Sequence, residues 1–227
     1  MRYGWPPALL PSTCVCGQPF NINHALSCPT GGYPSLRHNE IRDITARLME
    51  EVCYDVSIEP TLQPITGEFL QGRCTNREDN ARLDIAARGF WGCRVQKAFF
   101  DVRVFNPSAQ SHRNLQVQSV YQRHEKEKRR EYQQRVCEVE RGSFTPLVFA
   151  ASGGMGPAAT VTYKRLASLL ATKRKEAYSQ TMMWVRARLS FALLRSAIMS
   201  LRGSRRARTS RTSFIPPADL VVSDCRL

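Results

Sequence analysis

The feature that most constrains the fold is a cluster of cysteine and histidine residues near the start of the chain. Among the 8 cysteines and 4 histidines of the 227 residues, a short stretch holds Cys14, Cys16, His24 and Cys28. Three thiolates and one imidazole complete a tetrahedral set for Zn²⁺, and a Cys-x-Cys turn followed by His-x3-Cys can supply it without a larger fold. The first gap is shorter than usual, so free thiols beside a surface histidine remain the alternative.

The segment around this cluster has little room for a core of its own. Residues 1–35 are rich in Pro, Gly and Cys, and we interpret them as a CCHC-type zinc knuckle that the metal would fold. The remaining cysteines are scattered singly through the chain. This distribution favours a metal site in a reducing compartment over a disulfide framework.

The charge of the chain predicts a polyanionic partner. Its 33 Lys and Arg against 19 Asp and Glu give a net charge of +14, which favours nucleic acid or an anionic surface. Between Tyr163 and Arg211 only Glu176 is acidic. The candidate nucleic-acid contacts are Lys164, Arg165, Lys173, Arg174, Lys175, Arg205 and Arg206. A nuclear localisation patch or a flexible basic tail would show the same composition.

The longest apolar stretch does not predict a membrane span. It covers residues 189–201 and is interrupted by Arg195, whereas a bilayer core needs roughly twenty apolar residues. We therefore expect no membrane partner. The large apolar residues here are expected to form packing surface rather than a platform for stacked bases; they are Trp184, Leu189, Phe191, Leu194 and Ile198.

Hydrophobic periodicity predicts an α/β fold. Helices are expected over residues 37–51, 117–136, 160–172 and 180–201, and strands over 54–58, 81–87, 98–105 and 143–150. The order of these elements indicates a mixed sheet flanked by helices. The predicted units are the knuckle (1–35), the core (36–158), C-terminal helices (159–203) and a basic flexible tail (204–227).

Two aspartates interrupt the apolar pattern of neighbouring strands. Asp84 and Asp101 point opposite to the apolar side chains beside them, because side chains alternate along a strand. Buried carboxylates need a cation or hydrogen-bond donors, and on paired strands the two acids can share a divalent ion such as Mg²⁺. The alternative is an ion pair with the neighbouring Arg82 or Arg103.

A lysine on the following helix is placed to join these acids. Lys128 belongs to a stripe at helical spacing, which consists of Val117, Tyr121, Glu125, Lys128, Tyr132 and Val136. If this stripe faces the sheet, the ammonium group can reach a carboxylate-bound metal and a scissile phosphate. The alternative is an ordinary solvated lysine.

Taken together, these motifs resemble the C-terminal region of non-LTR retrotransposon reverse transcriptases, in which a zinc knuckle precedes a restriction-enzyme-like PD-(D/E)XK endonuclease. The resemblance covers about residues 3–203. It is carried by Cys14-Val-Cys16 with His24 and Cys28, Arg37-His38-Asn39-Glu40-Ile41-Arg42-Asp43, Ala81-Arg82-Leu83-Asp84-Ile85, Phe100-Asp101-Val102-Arg103-Val104, Glu127-Lys128-Arg129-Arg130-Glu131-Tyr132 and Leu201-Arg202-Gly203-Ser204.

The resemblance implies a role for each matching residue. Asp84 and Asp101 would bind catalytic Mg²⁺ or Mn²⁺, Lys128 would be a lysine relocated to the helix, and Glu40 would assist from the first helix. Two positions depart from the family pattern: Leu83 replaces a proline, and Arg103 stands where the family has lysine. Arginine stays protonated and cannot act as a base.

For the whole chain, the resemblance implies a nuclear protein that nicks target DNA so that the freed 3′ hydroxyl primes reverse transcription. DNA, element RNA and the reverse transcriptase portion of the same element are the implied partners, with Zn²⁺ in a structural role. Two alternatives remain open. One is a degenerate remnant that binds nucleic acid without cutting it, and the other is a piece that docks on a polymerase through its C-terminal helix.

Overall fold

The computed structural model describes residues 10–63, 81–92, 94–112 and 114–202. Its helices are α1 (Ile22–Ser27), α2 (Tyr33–Glu50), α3 (Val117–Glu138), α4 (Pro157–Arg174) and α5 (Tyr178–Arg202). Its strands are β1 (Tyr54–Ile58), β2 (Ile85–Arg88), β3 (Lys97–Phe105) and β4 (Ser143–Ala150). A short 3-10 turn spans Gln110–His112.

The four strands form one mixed sheet in the order β1-β2-β3-β4. The β1/β2 and β2/β3 pairs are antiparallel, and β3 runs parallel to β4 over its whole paired length. A parallel pair needs a long crossover, which α3 provides between β3 and β4. The predicted α/β architecture with a mixed sheet flanked by helices is confirmed; the finer assignment to the endonuclease fold stays a prediction.

One predicted strand is shorter than expected. The sequence pattern predicts residues 81–87, but β2 begins only at Ile85. The preceding residues pair with another segment: Leu62 donates its backbone N–H to Ala81, and Leu83 donates to Pro60. Asp84 therefore lies immediately before the strand rather than in its middle.

Helices pack on both faces of the sheet. On one face, α2, α4 and α5 bury a core with Phe100 and Val102 of β3. On the other face, α3 contributes Val136 to a cluster with Phe99. Since side chains alternate along a strand, Asp101 shares the α3 face with Phe99.

The junction between α3 and α4 depends on a glycine. A Cβ atom on Gly156 would lie only 2.6 Å from Oε1 of Glu125 and 3.2 Å from the ring of Tyr121. The same Oε1 accepts the backbone N–H of Ala158 at 2.9 Å, which satisfies a free donor in the first turn of α4. Two residues of the predicted α3 stripe are thereby buried against the start of α4.

The packing prediction for α5 is wrong at four positions, including Trp184, which is 37% exposed. Leu189 is buried, but Phe191 is 70% exposed, Leu194 49% and Ile198 43%. The reason is that α5 packs on α2 and α4 with one face, so residues half a turn away point outward. No helix among the described residues has the length and apolar character that a membrane crossing requires.

Candidate functional site

The cysteine and histidine side chains of the N-terminal segment converge on one point. The ligand atoms of Cys14, Cys16, His24 and Cys28 all lie within 4.8 Å of one another. Sγ of Cys14 is 3.9 Å from Sγ of Cys28, and Sγ of Cys16 is 3.2 Å from Nε2 of His24. A tetrahedral ion with Zn–S bonds of about 2.3 Å holds its sulfur ligands about 3.8 Å apart. The cluster therefore has the composition and dimensions of a zinc site.

Local structure explains how the four ligands meet. A bridge between Thr13 and Pro19 closes a tight turn, and Gly17 allows it because its φ is +85°. The Asn21 side chain accepts the backbone N–H of His24 and caps the first turn of α1. His24 and Cys28 follow at i and i+4, so the same edge of the helix presents both.

Electrostatics favour a thiolate at one of the ligands. Burial disfavours ionisation of Cys28, but hydrogen bonds with Thr30 outweigh this effect and lower the pKa of the thiol below its ordinary value. A metal-binding cysteine must be deprotonated. The surroundings of Cys28 are therefore suited to a cation.

The knuckle is fastened to the main body by buried polar groups. Asn106, at the end of β3, donates from its side chain to the backbone oxygen of Asn23 at 3.2 Å and to Oγ of Ser27 at 3.0 Å. Arg37, only 2% exposed, donates to the backbone oxygen of Leu26 at 3.2 Å. These contacts hold α1 against the end of the sheet and the start of α2.

A second group of polar residues lies where β3 extends past β2. The last pairing between the strands joins Ile85 to Phe100, while β3 continues to Phe105. Asp84 caps the edge exposed by this offset, since Oδ2 accepts the backbone N–H of Val102 at 2.6 Å. Its Oδ1 lies 2.8 Å from Nε2 of His38 on α2.

Asp101 lies beside this group and faces α3. Nζ of Lys128 is 3.3 Å from its Oδ1 and 3.1 Å from its Oδ2. The aspartate is 6% exposed. Burial raises the pKa of Asp101 to about 6; Lys128 and His38 oppose the rise, and the neighbouring Asp84 adds to it. The site is thus a buried carboxylate beside a second acid, a lysine and a histidine.

The arginines flanking the two acids have other partners. Arg82 lies 3.9 Å from a carboxylate oxygen of Glu59, and Arg103 lies 3.0 Å from Oε2 of Glu127. The alternative in which each aspartate pairs with the arginine beside it is therefore wrong. The position of Lys128 follows the predicted stripe, which faces the sheet at Tyr121, Glu125 and Val136, although Val117 is 45% exposed.

Helix α2 contributes a residue that sequence reasoning missed, His38. Glu40 bonds to Arg195 and to Ser196 on α5, and neither Asp84 nor Asp101 is among its partners. His38 contacts Asp84 instead. Residues two apart on a helix are separated by roughly 200°, so one helix cannot turn both toward the same group. The assisting role of Glu40 stays a prediction.

The donor set of this acidic site is compatible with Mg²⁺ or Mn²⁺. Oδ2 of Asp101 is buried and receives no well-directed hydrogen bond, although Nζ of Lys128 is near. Mg²⁺ typically uses one or two carboxylates and completes its shell with water and substrate phosphate oxygens. Within the described residues, only the cysteine and histidine cluster gathers three or more ligand atoms closely enough to hold an ion unaided.

The predicted nucleic-acid contacts fall into three groups. Lys164 and Lys175 are exposed. Arg165, Lys173 and Arg174 are partly engaged: Arg165 donates to the backbone oxygen of Phe90, and the other two bond to Glu51. Arg205 and Arg206 lie outside the described residues.

Comparison with known proteins adds no family assignment. The chain matches no model of a known protein family, and a search of curated proteins also finds no match. The metal-ligand cluster and the mixed sheet stand on the geometry of this chain.

Proposed function

We propose that this chain is a metal-dependent DNA endonuclease domain of a retroelement. The observation that carries the proposal is the meeting of Asp84, Asp101 and Lys128 at the offset edge of β3. Buried carboxylates with a raised pKa concentrate at functional sites, and a lysine beside them can stabilise charge on a phosphate. The resemblance to retrotransposon endonucleases assigns the same three residues.

The proposed reaction is hydrolysis of a phosphodiester. The oxygen of a water molecule forms a bond to phosphorus, the bond from phosphorus to the 3′ oxygen breaks, and the 3′ oxygen takes up a proton. A divalent cation bound at the carboxylates would polarise the phosphate and lower the pKa of the attacking water. The products are a 5′ phosphate and the free 3′ hydroxyl that reverse transcription needs as a primer.

The protein residues have distinct tasks in this scheme. Asp84 and Asp101 would hold the cation, and His38 orients Asp84 through its 2.8 Å contact. Lys128 would donate a hydrogen bond to a nonbridging phosphate oxygen when Asp101 serves as a ligand of the cation. Arg103 takes no part in proton transfer, since it stays protonated and is paired with Glu127.

The rest of the proposal follows from the same assignment. Zn²⁺ in the knuckle has a structural role, because four protein ligands leave no open coordination position. DNA is the substrate, element RNA and the reverse transcriptase portion of the element are partners, and the nucleus is the site of action.

Nicking of supercoiled plasmid by the zinc-loaded protein tests the proposal. We expect nicking with Mg²⁺ or Mn²⁺ and a loss of about 100-fold or more in Asp101→Asn and Lys128→Met. Lys126→Met is the matched control, because Lys126 is exposed on the same helix two residues away. Folding of each variant is checked by circular dichroism and zinc content.

The second candidate is a degenerate remnant that binds nucleic acid without cutting it. The ion pair between Lys128 and Asp101 favours it, since each charge already neutralises the other. Folded, zinc-loaded protein that binds DNA but does not nick it with either cation would favour the degenerate remnant over the active endonuclease. Nicking that persists in Asp101→Asn would reject both the assigned site and its mechanism.

A further inference from the structure

A groove runs between α2 and α5, on the side of α5 that the fold leaves uncovered. It has a volume of about 740 Å³ and is lined mainly by arginines and aromatic rings. The charged and aromatic members of this lining are Glu40, Arg47, Trp184, Arg188, Phe191 and Arg195. We call this surface the basic groove.

The charge of the basic groove is positive. Its one carboxylate, on Glu40, is neutralised by Arg195 and accepts a further hydrogen bond from Ser196. Arg47 and Arg188 are exposed, and neither forms an ion pair with a residue that the structure describes. Two guanidinium groups therefore remain available to an anion that enters the groove.

The positive surface continues over α5 toward α4. A second groove of about 620 Å³ shares Ala187 with the first and is lined by Lys164 and Arg186. Both side chains are exposed and have no carboxylate partner in the described part of the chain. The four unpaired cations thus lie along two adjoining grooves, an arrangement suited to a polyanion rather than to a single small anion.

The two aromatic rings of the basic groove differ in their contacts: Trp184 packs against arginines, and Phe191 is exposed. The guanidinium of Arg174 lies 4.4 Å from the ring centre of Trp184, and that of Arg188 lies 5.3 Å from it. Trp184 therefore holds arginines in place by cation–π contacts. Phe191 is 70% exposed and lies at the groove.

Residues 184, 188, 191 and 195 follow one another at steps of three or four, so they form one stripe on α5. At 1.5 Å of rise per residue the stripe is about 17 Å long.

We propose that the basic groove and the adjoining second groove bind a single strand of nucleic acid. A base stacks on Phe191, Arg47 and Arg188 hold phosphates in the basic groove, and Lys164 and Arg186 hold them in the second. Aromatic rings interleaved with cations are the means by which proteins hold single strands without reading their sequence. A duplex hides the faces of its bases within the stack, so an exposed ring on a basic surface favours unpaired nucleotides. Glu40, the predicted assisting acid, lies in the groove lining, but neither the stacked base nor the phosphate contacts use it or Asp84, Asp101 and Lys128.

Binding of a fluorescein-labelled oligothymidine of about twelve nucleotides, followed by anisotropy, tests the proposal. The Asp101→Asn protein in buffer without added Mg²⁺ or Mn²⁺ is the starting point, so cleavage plays no part. We expect Phe191→Ala to weaken binding by about 5- to 150-fold, the loss of one stacked base, and Phe191→Trp to retain it. Leu194→Ala is the matched control, since Leu194 is 49% exposed on the same helix outside the groove lining and is expected to leave binding unchanged.

The salt dependence provides a second readout. Removal of one phosphate contact by Arg47→Gln is expected to reduce the slope of log binding constant against log salt by about 0.7. Equal binding of the oligonucleotide and a duplex of the same length would overturn the proposal. So would unchanged binding in Phe191→Ala, or equal competition by polyglutamate, which carries charge but no bases. A protein that binds the oligonucleotide as expected but does not nick DNA would contradict the proposed endonuclease function and not the proposed binding site.

Discussion

Asp101→Asn is expected to make the protein more stable at neutral pH while abolishing the proposed activity. The substitution keeps the shape of the side chain and removes a charge that burial disfavours. Lys128 keeps a carboxylate partner in the variant, since Nζ also lies 3.8 Å from Glu131 and is partly exposed to water. The change therefore removes a buried charge without leaving another one isolated.

The magnitude follows from the pKa of the folded state. Burial raises the pKa of Asp101 from its ordinary value of 3.8 to about 6. At about 1.4 kcal/mol per pKa unit, ionisation of the folded state costs about 3 kcal/mol more than ionisation of the unfolded chain. Because the folded pKa is the higher one, this stabilisation of the protonated form is fully present below about pH 4 and is lost as the pH rises through about 6.

Urea unfolding followed by circular dichroism measures the effect. The free energy of unfolding of Asp101→Asn should exceed that of the unmodified protein by about 3 kcal/mol near pH 8 and by only about half as much near pH 5. Asp55→Asn is the control: Asp55 is 64% exposed and its φ of +46° suits asparagine, so no comparable gain is expected. A variant that is less stable at pH 8, or a gain that does not change with pH, would refute the reasoning.

Two further predictions concern the knuckle and the core. Cys28→Ser should weaken zinc binding at least about tenfold, because a hydroxyl is a poor zinc ligand. Cys137→Ser is the control: it changes an exposed thiol outside the cluster and should retain one zinc per chain in a metal-release assay. Equal zinc loss in both variants would contradict the assigned ligands. Tyr163→Phe should lower the free energy of unfolding by about 1 kcal/mol in urea, because it removes the 2.5 Å hydroxyl contact with Thr45, which keeps its bond to Ile41. A stability unchanged within about 0.3 kcal/mol would show that this buried contact contributes nothing.

Local sequence patterns predict much of the fold. The spacing of apolar residues predicts β4 over the same residues that form it, and it places Lys128 on the side of α3 that meets the sheet. The metal cluster can also be predicted from the sequence, since its ligands lie within one short stretch and need only a turn and a short helix to meet. In each case the determining contacts lie between near neighbours or on a regular helix or strand.

The features that the sequence does not predict depend on contacts between distant segments of the chain. His38 lies 46 residues before Asp84, and only the packing of α2 across the sheet brings them together. The same packing commits Glu40 to α5. For α5, an apolar composition indicated burial, but composition does not specify which side of a helix meets its neighbours, so the exposure of Phe191 required the tertiary structure.

The hydrogen bonds that Asn106 makes to α1 connect the two candidate metal sites. Asn106 directly follows β3, the strand that carries Asp101, so the zinc cluster and the acidic site are fastened to the same strand. A zinc ion in the knuckle would therefore restrain the end of the strand that carries Asp101 as well as the knuckle itself.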